Sequence, residues 1–174
     1  VVTVNYRLGP FGHLGDQSGL ELPLPLDDLL TALRWVHDKI TTYGGDPDRI
    51  TVVGQSAGGW YGHVLSMLDT TRGLIHQVAN LSMGTRNPWS QAQQRRIHQL
   101  TAEAAVPDEL ARMPAHELLS VGFKGLQAAQ TTRRQRQLAY AGSGYLPVAT
   151  PGIPDGFLDP KEAALKTHAQ GIYL

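Results

Sequence analysis

A serine framed by glycines directly follows an apolar β-like run, and this arrangement restricts the fold more than any other feature of the chain. The run is Ile50–Val53, and it continues as Gly54, Gln55, Ser56, Ala57, Gly58 and Gly59. A G-x-S-x-G sequence between a strand and a helix holds the serine in a strained turn and lifts its hydroxyl clear of the sheet. Glycine at 54 and 58 is expected to let strand and helix approach closely, because a side chain there would clash. The pattern predicts a strand–turn–helix unit centred on Ser56.

A hydroxyl presented in this way is a candidate nucleophile. The helix after Ser56 points unpaired N–H groups, and the positive end of its dipole, at the place where an oxyanion would form. The backbone N–H of Ala57 is the candidate oxyanion donor, and the other motif residues are interpreted as structural: Gly54, Gln55, Gly58 and Gly59. The alternative is a glycine-rich loop that carries a serine by chance, and the strand and helix on either side argue against it.

The remaining apolar pattern predicts an α/β fold with a mostly parallel sheet and flanking helices. Val1–Tyr6 and Ile50–Val53 are nearly continuous runs of β-forming residues, as in strands covered on both faces, and Gln77–Leu81 is a weaker run. A parallel sheet needs more strands than these, so we expect the chain to be an internal portion of a larger domain. The start of another strand is predicted at Gly171–Leu174.

Helices are predicted from caps and 3.6-residue periodicity. One spans about Asp27–Thr41, with Asp27 as N-cap, Trp35 in the core and Gly44 after its end. A second spans Ala57–Met67, with Trp60 packed in the protein, and a polar helix follows Pro88 with Ile97, Leu100 and Ala104 inward. Two or three short helices are predicted over Pro107–Gln137, separated by Pro114 and Gly122. A last helix starts at Pro160 and is capped by Asp159 with Glu162.

Several stretches together resemble the type-B carboxylesterases, a serine-hydrolase family. They read V-V-T-V-N-Y-R-L-G-P-F-G from Val1, A-L-R-W-V from Ala32 and Y-G-G-D-P-D-R-I-T-V-V-G-Q-S-A-G-G from Tyr43, followed by G-L-I-H-Q, N-P-W, L-P-V and P-D-G-F-L-D-P. The similarity is dense to Trp89, thin to Ser143 and moderate thereafter. The chain departs from the family at Pro25–Leu29, at His13 (commonly aromatic) and at Met83 (commonly Gly).

The resemblance implies an α/β-hydrolase fold in part, with residues 1–174 an internal portion of one catalytic domain. Residues 1–89 would hold the core β/α units and the nucleophile elbow, and residues 90–174 a helical region that returns towards the sheet. It implies hydrolysis of a small-molecule carboxylic ester through an acyl-enzyme on Ser56, without metal or organic cofactor. The acid, the base and the Gly-rich oxyanion loop are expected outside this chain, so the fragment alone would be inactive, and its partner would be the remainder of its own domain.

The titratable residues that follow Ser56 fit structural roles better than catalytic ones. His63 lies on the helix after the turn, and the other downstream histidines are His76, His98, His116 and His168. In this fold the order is serine, acid, histidine, and the family's acid and base would both follow Leu174. Asp155 is interpreted as a turn residue and Asp159 as a helix cap.

Charge and composition exclude several function classes. With 15 basic and 15 acidic residues the formal net charge is zero, which gives no electrostatic reason to bind nucleic acid, and the Arg133, Arg134 and Arg136 cluster is interpreted as a solvated helix face. There are no cysteines and no membrane-length apolar run. The compartment stays open. Two other functions remain as alternatives, a non-catalytic adhesion or scaffold relative and another serine hydrolase chemistry such as a peptidase or acyltransferase.

Overall fold

The computed structural model describes residues 1–15, 17, 19–105, 110, 112–130 and 144–173. The chain divides into two compact units. The sheet unit comprises Val1–Asn5, Leu26–Asn87 and Pro151–Leu174, and the helical unit comprises Tyr6–Pro25 and Pro88–Thr150. The division of one catalytic domain into residues 1–89 and 90–174 therefore stays a prediction.

Parallel strands form the centre of the sheet unit. Strands β1, β2 and β3 span Thr51–Gln55, Gln77–Leu81 and Gln170–Tyr173, and they pair in that order with Thr51 opposite Gln77 and Gln77 opposite Gln170. Helices α1 to α6 span Gly9–His13, Leu24–Lys39, Ala57–Leu65, Gln91–Ala104, Ala115–Ala129 and Pro160–Lys166. The predicted strand over Gln77–Leu81 is confirmed, and so is a strand at the end of the described chain.

Apolar side chains between helix and sheet stabilise this unit. Val64 of α3 and Val78 of β2 are completely or almost completely buried. Burying apolar surface contributes roughly 25 cal/mol per Å², so these contacts hold α3 against β1 and β2. This packing sets the position of the turn between β1 and α3.

The start and the end of α2 depend on different local signals. The helix begins at Leu24, so Asp27 lies within its first turn rather than at the N-cap, where its carboxylate still favours the positive end of the dipole. A 3₁₀ turn over Ile40–Tyr43 continues the helix, and Gly44 ends it with a φ of 78°. The predicted stop at Gly44 is confirmed, because only a residue without Cβ enters this conformation at little cost.

Three predictions about apolar segments and side chains are wrong. Val1–Tyr6 forms no strand in the described structure, and Val53 of β1 is 65% exposed because the face of β1 away from α3 is open. Trp35, predicted in the core, is 49% exposed and lies against Tyr43. A strand exists only where a neighbour supplies backbone partners, and an apolar side chain is buried only where another element covers it. The described sheet does not include Val1–Tyr6, and it leaves Val53 exposed.

Helices α4 and α5 pack against each other in the helical unit. Their buried cluster contains Trp89, Ile97 and Leu126, with Phe123 and Tyr145 against it. The N-terminus of α4 carries a capping box in which the side chains of Ser90 and Gln93 satisfy each other's backbone N–H groups. The polar helix predicted after Pro88 is thereby confirmed.

Two details of this unit differ from prediction. Helix α5 continues through Gly122, where a Cβ would come within 2.8 Å of Pro10, so this glycine allows a close approach and does not end the helix. On α4, Ile97 is buried as predicted, but Thr101 is buried in place of Leu100 and Ala104, because the small Gly125 lets α5 approach at Thr101. Residues 131–137 of the predicted helical region lie outside the described residues.

The buried imidazole of His13 gives the helical unit a dependence on pH. His13 is 4% exposed, donates from Nδ1 to the carbonyl of Gly9 at 2.9 Å, and packs between the rings of Trp89 and Tyr145. Burial lowers the pKa of His13 from 6.5 to about 4, with the bond to Gly9 opposing the shift. Between these values the unfolded state binds more protons, so stability is lost as the pH falls from about 6.5 to about 4.

We expect His13 to contribute about 3 kcal/mol of pH-dependent stability over this range, and His13→Phe to remove that contribution. Phenylalanine keeps a ring in the same packing but does not titrate. Urea unfolding of the full-length protein and the variant at pH 7, 5.5 and 4.5 measures the difference between their free energies of unfolding. The other histidines are present in both proteins, so their contributions cancel in this difference. At pH 7 the variant should be less stable by about 1 kcal/mol for the lost hydrogen bond, and this deficit should reverse towards pH 4.5. Parallel losses in both proteins would contradict the prediction.

Candidate active site

Ser56 lies at a sharp turn between β1 and α3. Its backbone has φ 55° and ψ −113°, a conformation that residues other than glycine rarely adopt, and its side chain is exposed. The N–H of Ser56 donates to the carbonyl of Leu81 at 2.9 Å, and its own carbonyl accepts the first helical bond from Trp60 at 3.1 Å. The turn and the exposure predicted from the sequence are confirmed, while the role of the hydroxyl belongs to a proposal.

Close contact between Gly54 and α3 keeps this turn tight. A Cβ on Gly54 would lie 2.2 Å from the backbone carbon and oxygen of Gly58 and 2.7 Å from the nitrogen of Gly59. The expectation of a clash is therefore confirmed at Gly54. It is wrong at Gly58, where a Cβ would meet no atom within 4 Å beyond its chain neighbours and the backbone of its own helix, because the Gly58 backbone rather than its Cβ position faces the strand.

The first turn of α3 offers hydrogen-bond donors next to Ser56. Ala57 is the first helical residue, directly follows Ser56 and is exposed, and its N–H has no partner within the helix. No acidic residue lies in this turn to offset the positive end of the dipole. An oxyanion formed at Ser56 would meet positive potential here.

The chain after β2 runs beside the start of α3, which sequence analysis did not anticipate. Ser82 turns the chain with a φ of 48°, a Cβ on Gly59 would lie 3.4 Å from the Cβ of Met83, and the indole N–H of Trp60 donates to the carbonyl of Arg86 at 3.1 Å. The signal available in the sequence was a small polar residue directly after an apolar strand. Trp60 is 5% exposed, and its predicted role in packing is confirmed.

Histidines of the sheet unit form hydrogen bonds away from Ser56. The Nε2–H of His63 donates to the carbonyl of Phe157 at 2.6 Å, and burial lowers the pKa of His63 although this bond opposes the shift. His76 accepts from the N–H of Ile50 at 3.2 Å, and Nε2 of His168 lies 3.1 Å from the carbonyl of Leu68. None of the hydrogen bonds described in this part of the chain joins a histidine ring to the hydroxyl of Ser56.

Strand direction explains why two of these rings are far from the serine. His76 and His168 precede β2 and β3, so they lie at the amino-terminal edge of the parallel sheet, while Ser56 follows the carboxyl end of β1. Five strand residues separate the two edges by about 16 Å. A pocket of about 650 Å³ at the amino-terminal edge is lined by residues that include Arg72, His76 and His168. It lies at the opposite end of the strands from the strained serine.

The other candidate residues have structural partners. The carboxylate of Asp159 accepts from the N–H groups of Lys161 and Glu162, which confirms it as the cap of α6. In the helical unit, His98 accepts from the N–H of Gly15 at 3.3 Å, and His116 is exposed beside Glu117. Arg133, Arg134 and Arg136 lie outside the described residues.

The described residues contain neither a cluster of metal-ligating side chains nor a membrane-spanning helix. Among the described residues, no group of three or more His, Cys, Asp or Glu side chains is placed to hold a metal ion. Likewise, no helix in the described ranges has both the length and the apolar character needed to span a bilayer.

Comparison with known proteins places this turn in a family. The model of the carboxylesterase family matches residues 1–171. The chain belongs to the carboxylesterase family. It is 44% identical over 89 residues to the para-nitrobenzyl esterase of Bacillus subtilis (strain 168), covering 49% of this chain and 18% of the relative. It is 42% identical over 80 residues to the phenmedipham hydrolase of Pseudarthrobacter oxydans, covering 44% of this chain and 15% of the relative.

Solved structures confirm the fold of this carboxylesterase chain. A thermophilic PNB esterase superposes with a TM-score of 0.72 at 28% identity, covering 92% of this chain and 34% of that structure. The juvenile hormone esterase of Manduca sexta superposes with a TM-score of 0.64 at 25% identity, covering 92% of this chain and 32% of that structure. The α/β-hydrolase fold predicted from the sequence is thereby confirmed. The chain spans under a fifth of the matched relatives' sequences and about a third of these structures.

Proposed function

We propose that the full-length protein hydrolyses carboxylic esters through an acyl-enzyme on Ser56. The observation that carries the proposal is the backbone of Ser56, a non-glycine residue at φ 55° with an exposed side chain between a strand and a helix N-terminus. A strained conformation of this kind costs about 1–3 kcal/mol and is typical of functional sites. Membership of the carboxylesterase family supports the same chemistry.

The chemistry would proceed in two steps at one centre. Ser56 Oγ attacks the carbonyl carbon of the ester while a general base takes its proton, and the carbonyl oxygen becomes an oxyanion near the N–H of Ala57. The tetrahedral intermediate collapses as the bond to the alcohol oxygen breaks, and the alcohol leaves with the proton. Water then attacks the acyl carbon in the same manner and releases the acid and the free Ser56 hydroxyl.

The base and the acid that orients it are proposed to come from the rest of the polypeptide. The histidines of the sheet unit support this view, because His63, His76 and His168 bond to backbone groups or lie at the other edge of the sheet. Further oxyanion donors, glycine N–H groups, would come from a Gly-rich loop in the same remainder. We therefore expect the chain of residues 1–174 alone to be inactive on esters.

Covalent labelling distinguishes the proposed nucleophile from the neighbouring strained serine. A fluorophosphonate ester should form one adduct with the full-length protein, with Ser56 Oγ bonded to phosphorus and fluoride released. Peptide mass mapping should place the adduct on Ser56. Ser56→Ala should remove the adduct, and Ser82→Gly should keep it, because glycine accepts the positive φ at that position.

An adduct on Ser82, or none on the folded protein, would contradict the proposal. The absence of an adduct would also favour the non-catalytic scaffold alternative. A peptidase or acyltransferase would be labelled at the same serine. Comparing the rates of nitrophenyl ester hydrolysis, peptide hydrolysis and transfer to an added acyl acceptor separates those chemistries.

A further inference from the structure

Residues 81–86 follow the first turn of α3 closely. The carbonyl of Leu81 accepts from the N–H of Ser56 at 2.9 Å, and the carbonyl of Arg86 accepts from the indole of Trp60 at 3.1 Å. Between these two bonds, the Cβ of Met83 would be 3.4 Å from a Cβ on Gly59. Contacts at both ends therefore hold this segment against the turn that carries Ser56.

Met83 is placed near the reacting hydroxyl by helix geometry. Ser56 is the N-cap of α3 and Gly59 is its third residue, so both lie on the same side of the helix, within one turn of about 5.4 Å. Met83 is half-buried, and within residues 83–86 it is the residue with a long apolar side chain. The others are Gly84, Thr85 and Arg86. Three rotatable bonds let its thioether fill space next to an apolar ligand.

We propose that Met83 lines the substrate pocket beside Ser56 and restricts the length of the ester's carbon chain. The proposal rests on the ester hydrolysis proposed above. In a hydrophobic pocket, one methylene group more or less on the substrate changes kcat/KM by about 10–200-fold. Removing a side chain of four heavy atoms from the wall of such a pocket should therefore change the preferred chain length strongly. Glycine at 83 would leave that volume open, whereas leucine would nearly conserve it.

The test compares Met83→Gly with two controls in the full-length protein. Met83→Leu keeps the apolar volume, and Thr85→Gly introduces the same backbone freedom two residues away without removing an apolar side chain. The substrates are nitrophenyl acetate, butyrate and octanoate, which vary the acyl chain, and a matching series of alkyl acetates, which varies the alcohol. In one of the two series, Met83→Gly should raise kcat/KM for the longest substrate relative to the shortest by at least about tenfold. Both controls should stay close to the unmodified protein.

The outcomes separate this inference from the proposed function. Unchanged chain-length ratios in both series, with acetate hydrolysis and Ser56 labelling retained, would overturn the role of Met83 and leave the esterase assignment intact. A similar shift in Thr85→Gly would also overturn it, since backbone freedom would then explain the effect. If the unmodified protein hydrolyses no ester and forms no fluorophosphonate adduct, both proposals fail.

Discussion

Replacing Ser56 with alanine in the full-length protein is expected to lower ester turnover by about 10⁶-fold, the size of loss seen when a serine nucleophile is removed. Alanine keeps the Cβ and therefore the same cost of a φ of 55°, so the change removes only the hydroxyl. The measurement is kcat/KM for nitrophenyl acetate, with thermal unfolding to show that the fold is retained. Activity within tenfold of the unmodified protein would contradict the assignment of Ser56 as the nucleophile.

Ser56→Gly serves as the matched control for backbone strain. It also lacks the hydroxyl, so it should be as inactive as the alanine variant. Glycine relieves the strained conformation, so the Ser56→Gly variant should unfold at a higher urea concentration than the alanine variant. Its free energy of unfolding should be higher by about 1–3 kcal/mol, less the entropy cost of glycine. Equal stabilities would show that the turn is not strained, while leaving the chemical test unaffected.

Gly54→Ala is expected to disrupt the turn, with a loss of about 4 kcal/mol or more of stability. The new Cβ would lie 2.2 Å from the carbonyl carbon and oxygen of Gly58, and these are backbone atoms that cannot rotate away. Losses of this size belong to a few mechanisms, and overpacking against a fixed backbone is one of them. Urea unfolding and the rate of fluorophosphonate labelling of Ser56 would measure the effect, since a displaced turn also misplaces the hydroxyl.

Gly58→Ala provides the control within the same motif. A Cβ at this position meets no described atom within 4 Å beyond its chain neighbours and its own helix backbone, and alanine is favoured over glycine in a helix by roughly 0.5–1 kcal/mol. We expect this variant to unfold at or slightly above the urea midpoint of the unmodified protein. If Gly54→Ala yields no soluble protein while Gly58→Ala does, the close approach at Gly54 is still supported. Equal behaviour of the two variants would refute it.

Features with short-range causes could be predicted from the sequence. The turn at Ser56, the stop at Gly44 and the cap at Asp159 each depend on residues within one helical turn of each other. The same holds for β2, whose apolar run lies between two turns. In these places the residue types themselves restrict φ or supply the missing hydrogen-bond partner, so no distant neighbour is needed.

Features that depend on distant neighbours were predicted less well. Val1–Tyr6 has the composition of a strand but is not part of the described sheet, and Trp35 stays 49% exposed although it lies against Tyr43. Gly122 was interpreted as a helix break, yet it lies inside α5 because Pro10 approaches that position. Propensity describes what a segment prefers, and packing decides which preference is realised.

The amino-acid sequence by itself determined the motif around Ser56 and the resemblance to a serine-hydrolase family, because glycine, serine and capping residues act through local sterics and hydrogen bonds. The path of residues 81–86 along the start of α3, with Met83 against Gly59 and the carbonyl of Arg86 bonded to Trp60, became visible only in the folded chain. The physical reason is that β2 pairs in register with β1, so the chain leaving β2 emerges beside the turn that leaves β1. Residues more than 20 positions apart in the sequence become neighbours through that pairing, which no local pattern encodes.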